Sequence, residues 1–496
     1  SDQGWSGIRR EDVVLYELHV GAFSEKGTFA SAMNRLEELV ELGITALEIM
    51  PVNECAGRWN WGYDGVDWFA PMSSLGTPDD FRRFVDRAHQ LGLAVLLDVV
   101  YNHFGPEGNY LHGFGGYVSQ RHHTTWGDAP NTDEAPTDVA TRRFVVANAL
   151  HWLDEYHLDG LRVDAIHCIA DDSEPHLVRQ MSEAIAEWSR SVQRQVLLVA
   201  ESNVYDPEML TPLKGGGMGF DAQWCDDFLH SVFAVVRPGE QLSHRPYLSK
   251  SDLSQVLTKG FVYEGTVRRE RERKHPETRV DTRGLIYSIQ NHDFIGNHPL
   301  GQRFHQLTCP ATQRAAAALL ILSPAIPMIF MGEEFACENP FSFFVDFGDD
   351  QLREAVVEGR KAEYPQHDWT NGVLPIDPDA FTSSKIGPTN AGSQGMLAWY
   401  QALIRIRREW IAAGVLSDHS LRVETFPDQD IHRLTYQTST RTCGVSVRLG
   451  TPESAAPGHG PIGHAKRIDS SQSRYRNSDE PESSNQAIVF DTPAVT

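Results

Sequence analysis

The sequence has few cysteines, few basic residues and no long apolar segment, and each scarcity excludes a class of protein. Its six cysteines are scattered, with no CxxC pair and no zinc-like spacing, so we expect free thiols rather than a disulfide scaffold or a zinc domain. Lysine and arginine total 44 against 67 aspartates and glutamates, which gives a net charge of −23. Such a surface repels nucleic acid and anionic membranes, so we expect a neutral or cationic partner instead.

Signals for export or membrane insertion are also missing. No window offers eighteen uncharged apolar residues, and the opening stretch SDQGWSGIRRED lacks the apolar segment of a signal peptide. Together with free thiols, these features favour a cytoplasmic protein. Hydrophobic residues make up 41% of the 496 positions, which is typical of a globular protein with a large core.

Apolar runs that alternate with amphipathic segments predict a parallel α/β fold. VVLYELHV (13–20), ITALEIM (44–50) and LAVLLDVV (93–100) are typical of buried strands, and helical patterns separate them. About eight such strand–helix units follow one another, ending with PMIF at 327–330. We therefore predict a closed (β/α)8 TIM barrel over residues 1–415 rather than an open doubly wound sheet.

Two segments depart from this rhythm. Residues 104–137 are rich in glycine, histidine, proline and asparagine, and predict a loop-rich insertion after the third strand. Residues 416–496 predict a small C-terminal β-rich domain. Within it the polar stretch 451–487 has little periodicity, so we expect a loop or a disordered segment there.

The segment DGLRVDAIHCI (159–169) places an arginine and a carboxylate together. Arg162 and Asp164 are two residues apart on a predicted strand, so their side chains point to the same side. The positive charge favours an ionised carboxylate, which suits attack on an electrophilic carbon. On this pattern alone, a plain ion pair at a strand end is the simpler explanation.

Polar residues also follow other strands of the predicted barrel. They are Asp98 and His103 after the third strand, Arg162 and Asp164 at the end of the fourth, Glu201 after the fifth, and His292 and Asp293 after the seventh. A single such residue is often a helix cap or a loop residue. Because the carboxyl ends of barrel strands form one face, the whole set predicts an active site.

Carboxylates without a metal-ligand set or a serine or cysteine nucleophile are typical of glycoside cleavage. One carboxylate attacks the anomeric carbon, and a second acid protonates the leaving oxygen. The apolar run VLLVA before Glu201 predicts a raised pKa for that group.

Four motifs resemble, in order and spacing, the signature regions of the α-amylase clan, glycoside hydrolase family 13. They are DVVYNH (98–103), GLRVDAIH (160–167), LVAES (198–202) and QNHD (290–293). The resemblance implies a retaining mechanism in which Asp164 is the nucleophile, Glu201 the general acid/base and Asp293 the transition-state stabiliser. The substrate-binding residues that it implies around the attacked glucose are Tyr63, Asp98, His103, Arg162 and His292.

Longer segments resemble the maltooligosyltrehalose trehalohydrolase family within the clan. They are YELHVGAFSEKGTF (16–29), WGYDGVDWFAP (61–71), FDAQWCDDF (220–228), SIQNHDFIGN (288–297), PMIFMGEEF (327–335) and PFSFFVDF (340–347). This resemblance covers roughly residues 5–415. It implies hydrolysis of the α-1,4-glucosidic bond next to the terminal trehalose unit of maltooligosyltrehalose. On the trehalose side we place Trp224, Asp226, Asp227, Phe344 and Asp346, although local packing or loop capping explains each of them equally well.

Some expectations concern what the chain lacks. The family usually carries a β-sandwich before the barrel, which we expect to be absent here. Phe294 and His298 stand where the family commonly has glutamine and arginine. Asn102 matches a position that binds calcium in many amylases, but further ligands are not evident, so we expect neither a metal nor a cofactor.

Two alternatives accompany the trehalohydrolase hypothesis. A glycogen branching enzyme shares YELHVG and transfers the glycosyl unit to a sugar hydroxyl, but WGYDGV and DAQWCDD disfavour it. A catalytically silent glycan-binding barrel is the second alternative, and the retention of Asp164, Glu201 and Asp293 disfavours it.

Overall fold

The computed structural model describes most of the chain. The described residues are 4–136, 138–240, 245–248, 250–266, 269–273, 280–387, 393–450, 466–477, 480 and 483–493. Among them, no helix combines the length and the apolar character needed to cross a bilayer.

Eight parallel strands form a closed barrel in which strands consecutive in the chain are neighbours in space. They are β1 (Leu15–Leu18), β2 (Ala46–Ile49), β3 (Ala94–Val99), β4 (Gly160–Val163), β5 (Leu197–Ala200), β6 (Ala222–Trp224), β7 (Leu285–Tyr287) and β8 (Ile326–Phe330). β8 pairs with β1, with Tyr16 opposite Ile329, and this pairing closes the barrel. The predicted (β/α)8 barrel is confirmed.

The helices follow the strands in alternation. They are α1 (Val20–Phe23), α2 (Phe29–Ala32), α3 (Leu36–Leu42), α4 (Pro78–Gln90), α5 (Asp138–Glu155), α6 (Leu177–Val192), α7 (Pro207–Leu210), α8 (Asp227–Val236), α9 (Ser251–Lys259), α10 (His292–Gly296), α11 (Phe304–Leu307), α12 (Pro310–Leu322), α13 (Asp350–Glu363), α14 (Pro378–Ser383) and α15 (Gln394–Ala412). Local sequence fixes several helix ends. For example, α4 begins with a reciprocal capping box between Thr77 and Asp80 and has Pro78 at its first position.

The strands bury both of their faces, but with different partners. Outward residues such as Tyr16 and Leu18 join the large core between barrel and helices, whereas Leu15 joins a smaller apolar cluster inside the barrel. Inward positions nearer the carboxyl ends of the strands are polar and buried: Glu17, Glu48, Asp98 and Arg162. Charged groups are rarely buried, and then only with partners. This polar layer therefore marks the carboxyl end of the barrel as the candidate active site.

The C-terminal part is a five-stranded antiparallel sheet, which confirms the predicted small β domain. Its strands are β9 (Leu421–Phe426), β10 (Ile431–Gln437), β11 (Arg441–Arg448), β12 (Lys466–Asp469) and β13 (Gln486–Pro493), in the order β9-β10-β11-β13-β12. The sheet packs against α12, and Trp410 of α15 lies 5.6 Å from Tyr436 of β10 between ring centroids. Asn485 Nδ2 donates to Thr312 Oγ1 at 2.8 Å, and Arg314 pairs with Glu480 in a buried contact.

The predicted loop at 451–487 is only partly described. Residues 451–465 lie outside the described residues, but 466–469 form β12, so the prediction of a loop or disorder is wrong for that segment. The reason is that the few apolar side chains of this region are buried by tertiary packing. Ile468 is buried beneath the sheet, and Tyr475 packs edge-on against Trp399 of α15 at 4.8 Å between ring centroids.

The insertion after β3 contains a two-stranded hairpin, Val118–His123 with Asp128–Pro130. The hairpin is connected to the barrel end near the polar layer, since Phe104 pairs with Asp128 in an isolated bridge. The wall beside His103 therefore comes partly from this insertion, and Trp126 lies 5.9 Å from His103 between ring centroids.

Candidate active site

Arg162 is the central cation of the polar layer. Its side chain is completely buried, and Nη1 donates to both Asp98 Oδ2 and Asp164 Oδ1 at 2.7 Å. The guanidinium lies over the Trp224 ring at 4.2 Å. Burial alone would lower the pKa of Arg162, but the surrounding acids outweigh it and raise the pKa well above its usual value. Arg162 is therefore a permanent positive charge beneath the site.

Asp164 stands at the point where β4 ends and the chain turns. The next residue, Ala165, has φ +38°, a left-handed conformation that non-glycine residues rarely adopt and that is often found at functional sites. Asn102 Nδ2 donates to Asp164 Oδ2 at 3.1 Å, while Arg162 occupies the other oxygen. The Asp164 side chain is 17% exposed, so an oriented carboxylate reaches the cleft.

Glu201 follows β5 and faces the same turn. Its Oε2 accepts the main-chain N–H of Ala165 at 2.5 Å and lies 3.9 Å from Arg162 Nη2. Burial is the main cause that raises its pKa to about 8; Arg162 opposes this, and Asp164 and Asp293 add to it. The raised pKa agrees with the prediction from the apolar run before Glu201. At neutral pH the group is protonated and suited to donate a proton.

Asp293 lies in the first turn of α10, which the Asn291 side chain caps by accepting the N–H of Phe294. The Asp293 side chain is 50% exposed, more than Asp164 or Glu201. Its Oδ1 lies 3.5 Å from His292 Nε2 and accepts from Asn297 Nδ2 at 3.4 Å. The three predicted carboxylates thus converge: two are held by the barrel, and one is open to the cleft.

Tyr63 closes one side of the site. Its hydroxyl donates to Asp98 Oδ2 at 2.7 Å and lies 2.8 Å from His292 Nε2, and the two rings stack at 5.2 Å between centroids. Burial raises the pKa of Asp98 to about 7, although Arg162 opposes the shift. Tyr63, Asp98 and His292 were all predicted to surround the attacked sugar.

His103 joins this group from the segment after β3. Its imidazole is buried, and Nδ1 is hydrogen-bonded to Asn102 Oδ1. Burial lowers the pKa of His103, while the nearby Asp164 works in the opposite direction. Asn102 therefore connects His103 with Asp164.

One residue predicted on the trehalose side, Asp226, interacts electrostatically with Glu201 and Asp293. It is half-buried at the start of α8 and accepts from Asn291 Nδ2 at 3.2 Å. Burial raises its pKa to about 7, and the charge of Asp293 adds to the shift. Its hydrogen bond to Asn291, which caps α10, places Asp226 near the start of the helix that carries Asp293.

The other residues predicted on the trehalose side have structural contacts. Trp224 is buried inside the barrel beneath Arg162, and Phe344 is fully buried against His19 and Phe381. The burial of both rings favours local packing, and the place of Trp224 and Phe344 on the trehalose side stays a prediction.

Asp227 and Asp346 hold loops together. Both oxygens of Asp227 are used: Oδ1 accepts from the Tyr247 hydroxyl at 2.6 Å, and Oδ2 accepts the N–H groups of Val262 and Tyr263 at 2.6 and 2.9 Å. These contacts favour loop capping, and a role of Asp227 on the trehalose side stays a prediction. Asp346 Oδ2 accepts from the main chain of Arg58 at 2.9 Å, which ties two loops at the rim of the barrel.

Phe294 and His298, which depart from the family pattern, lie at different depths. Phe294 is buried against Phe233 at 5.3 Å between ring centroids, so it contributes to the core of the α8–α10 contact. His298 lies 5.5 Å from the ring of His367. Its pKa is lowered, chiefly by burial.

Sequence reasoning missed two sets of residues. Glu17 of β1 accepts from both the main chain and the ring of His292. An acidic residue at an inward position of an apolar strand was the signal that could have found it. The second set is Arg360 of α13 and Tyr364 at the C-terminal end of that helix. Both contact the side chain of Asn297, which lies beside Asp293. No motif marks α13, so only the fold reveals it.

Comparisons with known proteins agree with this geometry. The family model "Alpha amylase, catalytic domain" matches residues 18–140. The malto-oligosyltrehalose trehalohydrolase of Saccharolobus solfataricus is 40% identical over 425 residues, which cover 85% of this chain and 73% of the relative. That of Arthrobacter ramosus is 40% identical over 417 residues, covering 82% and 72% respectively.

A solved structure resembles the whole chain. It is a crystal structure from Salmonella typhimurium, provisionally assigned as an alpha amylase, which superposes with a TM-score of 0.84 at 33% identity. The match covers 99% of this chain and 84% of that one. By identity and by the length covered, the chain belongs to the malto-oligosyltrehalose trehalohydrolase family, within the alpha-amylase group of glycoside hydrolases.

Proposed function

We propose that this protein is a retaining glycosidase that cleaves the α-1,4-glucosidic bond next to the terminal trehalose unit of maltooligosyltrehalose. The products are trehalose and a shortened maltooligosaccharide. The observation that carries the proposal is the pairing of two different carboxyl groups across the turn at Ala165. Asp164 is oriented by Arg162 and Asn102, whereas the pKa of Glu201 is raised to about 8. Two carboxyl groups with separate environments are what acid-assisted displacement requires.

In the first step, an oxygen of Asp164 forms a bond to the anomeric carbon of the glucose next to trehalose. The glycosidic bond breaks, and Glu201 gives its proton to the leaving oxygen, so that trehalose departs as a neutral alcohol. In the second step, the Glu201 carboxylate takes a proton from water, and the hydroxide oxygen bonds to the same carbon. The bond to Asp164 breaks, which restores both groups and retains the anomeric configuration.

The remaining polar residues bind and shape the attacked sugar in this proposal. Asp293, half exposed and near His292, binds ring hydroxyls and favours the distorted sugar of the transition state. Tyr63 offers its ring face as a stacking surface, while its hydroxyl is fixed between Asp98 and His292. We assign Asp226 to the side from which trehalose leaves, because its charge acts on both Glu201 and Asp293.

The cytoplasm is the compartment that we propose for this activity. All six cysteines are free thiols, and four of them are buried. Free thiols persist in a reducing compartment, which supports this location.

Product analysis distinguishes the proposed reaction from its alternatives. Purified protein is incubated separately with maltotriosyltrehalose and with amylose, and the products are identified by chromatography and NMR. Trehalose and maltotriose in a one-to-one ratio support the proposal. New α-1,6 branches in amylose would instead indicate a branching enzyme. Binding of maltotriosyltrehalose without turnover would indicate a silent glycan-binding barrel.

The stereochemistry of hydrolysis is a separate test. Early time points followed by proton NMR should show the α-anomer of the new reducing end before mutarotation. Initial release of the β-anomer would contradict the covalent intermediate on Asp164.

A further inference from the structure

Glu17 and His292 form a buried contact that the two-step mechanism does not use directly. Both side chains are 2% exposed. Glu17 lies on β1 and reaches across the end of the barrel to α10. Its Oε2 accepts the main-chain N–H of His292 at 3.1 Å, and its Oε1 contacts the ring Nδ1. The contact therefore fixes both the start of α10 and the plane of the imidazole.

The hydrogen-bond directions determine how many protons the imidazole carries. Nδ1 contacts Oε1 of Glu17, and a carboxylate oxygen accepts, so Nδ1 donates. Nε2 lies 2.8 Å from the Tyr63 hydroxyl, whose proton is already given to Asp98. The Tyr63 oxygen accepts there, so Nε2 donates as well. An imidazole with two donors is the imidazolium form.

The other titratable groups around His292 come from every element that packs against it. They are Glu17 and His19 at β1, Tyr63 after β2, Asp98 on β3, Arg162 on β4, Asp226 after β6, and Asp293 on α10. Burial lowers the pKa of His292, but the charges of Glu17 and Asp293 outweigh it and raise the pKa to about 9. The positive charge of Arg162 disfavours protonation of His292, but the effect of the two acids is larger.

We propose that Glu17 is a positioning residue that holds His292 as an imidazolium, with Nε2–H held between the Tyr63 hydroxyl oxygen and Asp293. The chemical group that it serves is a hydroxyl oxygen of the attacked sugar, which shares the Nε2 proton with the Tyr63 oxygen. This inference rests on the proposed function for its consequence in catalysis, but the state of His292 is a property of the protein alone. Glu17 acts only through His292 and does not touch the reacting atoms.

The first experiment measures His292 directly. The protein is labelled with 13Cε1,15N-histidine and titrated by NMR from pH 6 to pH 10, and the His292→Gln spectrum assigns the signal. We expect the wild-type His292 ring to remain doubly protonated beyond pH 8. A His292 signal that is already neutral at pH 7 would overturn the proposal. This measurement requires no variant of Glu17 to fold.

The second experiment removes the charge of Glu17. Glu17→Gln keeps the size and one acceptor, and we expect the titration midpoint of His292 to fall by at least about one pH unit. Glu17→Asp keeps the charge and is expected to recover part of that shift. The matched control is Glu334→Gln, another buried carboxyl group, which accepts from Tyr16 of the same strand and does not contact the site. An unchanged His292 midpoint in Glu17→Gln contradicts the proposal.

The third experiment records kcat/KM against pH with maltotriosyltrehalose. In Glu17→Gln we expect the alkaline limb to move to lower pH, with a loss of about twofold or more at pH 8 and a smaller loss at pH 6. A loss of the same size at every pH would indicate a merely structural role and would overturn the inference. If the wild-type protein fails to hydrolyse this substrate, the proposed function fails, whereas the NMR titration still decides the role of Glu17.

Discussion

Arg162 on β4 and Asp164 just after the end of β4 lie two residues apart, and Nη1 of the arginine is 2.7 Å from Oδ1 of the aspartate. The same nitrogen also binds Asp98, and the guanidinium rests on the Trp224 ring. The arginine therefore has no freedom to move away from Asp164. A strand-end ion pair of this kind is a fixed electrostatic support for the carboxylate, unlike a pair on the surface.

Replacement of Asp164 with asparagine tests this support and the nucleophile together. The amide of the Asp164→Asn variant would keep an acceptor for Arg162 but cannot form the glycosyl ester, so we expect kcat to fall by about 10⁴-fold or more. Steady-state kinetics with maltotriosyltrehalose measure the change, and circular dichroism checks the fold. Asp154→Asn, at an exposed position on α5, is the control and should leave kcat unchanged. Wild-type turnover by Asp164→Asn would remove Asp164 from the mechanism.

The raised pKa of Glu201 sets the alkaline limit of activity. Because the proton donor loses its proton as pH rises through about 8, we expect kcat/KM to decline above that value. Glu201→Gln should be inactive on maltotriosyltrehalose at every pH. The pH profile of the wild-type protein is the measurement, and a profile that stays level to pH 10 would contradict the role of Glu201 as the acid.

Glu201 also links stability to pH. Its folded-state pKa lies above the ordinary glutamate value of 4.5, so the folded protein holds a proton that the unfolded chain releases between pH 4.5 and about 8. The contribution of this group to stability is therefore complete below pH 4.5 and is lost as pH rises through about 8. We expect Glu201→Gln to be more stable than wild type at pH 9, by roughly 1–3 kcal/mol, because it carries no buried charge. Thermal melts at pH 5 and pH 9 test this, and a smaller stabilisation at pH 9 than at pH 5 would contradict it.

The Tyr63 hydroxyl connects Asp98 with His292. Tyr63→Phe keeps the ring but leaves Asp98 with one donor fewer and removes the acceptor from Nε2 of His292. We expect kcat/KM to fall by about 10- to 100-fold, since an unpaired buried partner costs about 1–3 kcal/mol. Tyr101→Phe is the matched control, because the Tyr101 hydroxyl binds Asn148 away from the site. Equal losses in the two variants would contradict a specific role for Tyr63.

Asp226 and Asp227 are adjacent in the chain but should respond differently to the same substitution. Asp226 adds to the raised pKa of Glu201, so Asp226→Asn should move the alkaline limb of kcat/KM to lower pH. Asp227→Asn places an amide donor where a carboxylate accepted three hydrogen bonds, and should cost about 1–3 kcal/mol of stability. Kinetic pH profiles and chemical denaturation measure the two effects. The distinction would fail if Asp227→Asn moved the pH profile while the stability stayed the same.

The barrel and the three carboxylates were predictable because their signals are local and repeated. Eight apolar runs at regular spacing predict eight strands, and the ends of parallel strands meet on one face. Asp164 and Glu201 follow such runs directly, and their convergence in the structure follows from that topology. The C-terminal sheet was predictable as a class, but β12 was not, because its burial depends on contacts with distant residues such as Val489 of β13.

The sequence by itself determined the fold class, the family and the side of the barrel where the chemistry takes place, since periodicity and motif order are properties of the chain. Only the tertiary structure decided which polar and aromatic residues remain available to a substrate. Trp224, Phe344 and Asp227 are predicted on the trehalose side, and in the structure each meets partners from other elements, which favours local packing or loop capping. Glu17 was overlooked because its partner, His292, is 275 positions away in the chain. A buried side chain is satisfied by whichever groups the fold brings to it, and this information is not contained in local sequence.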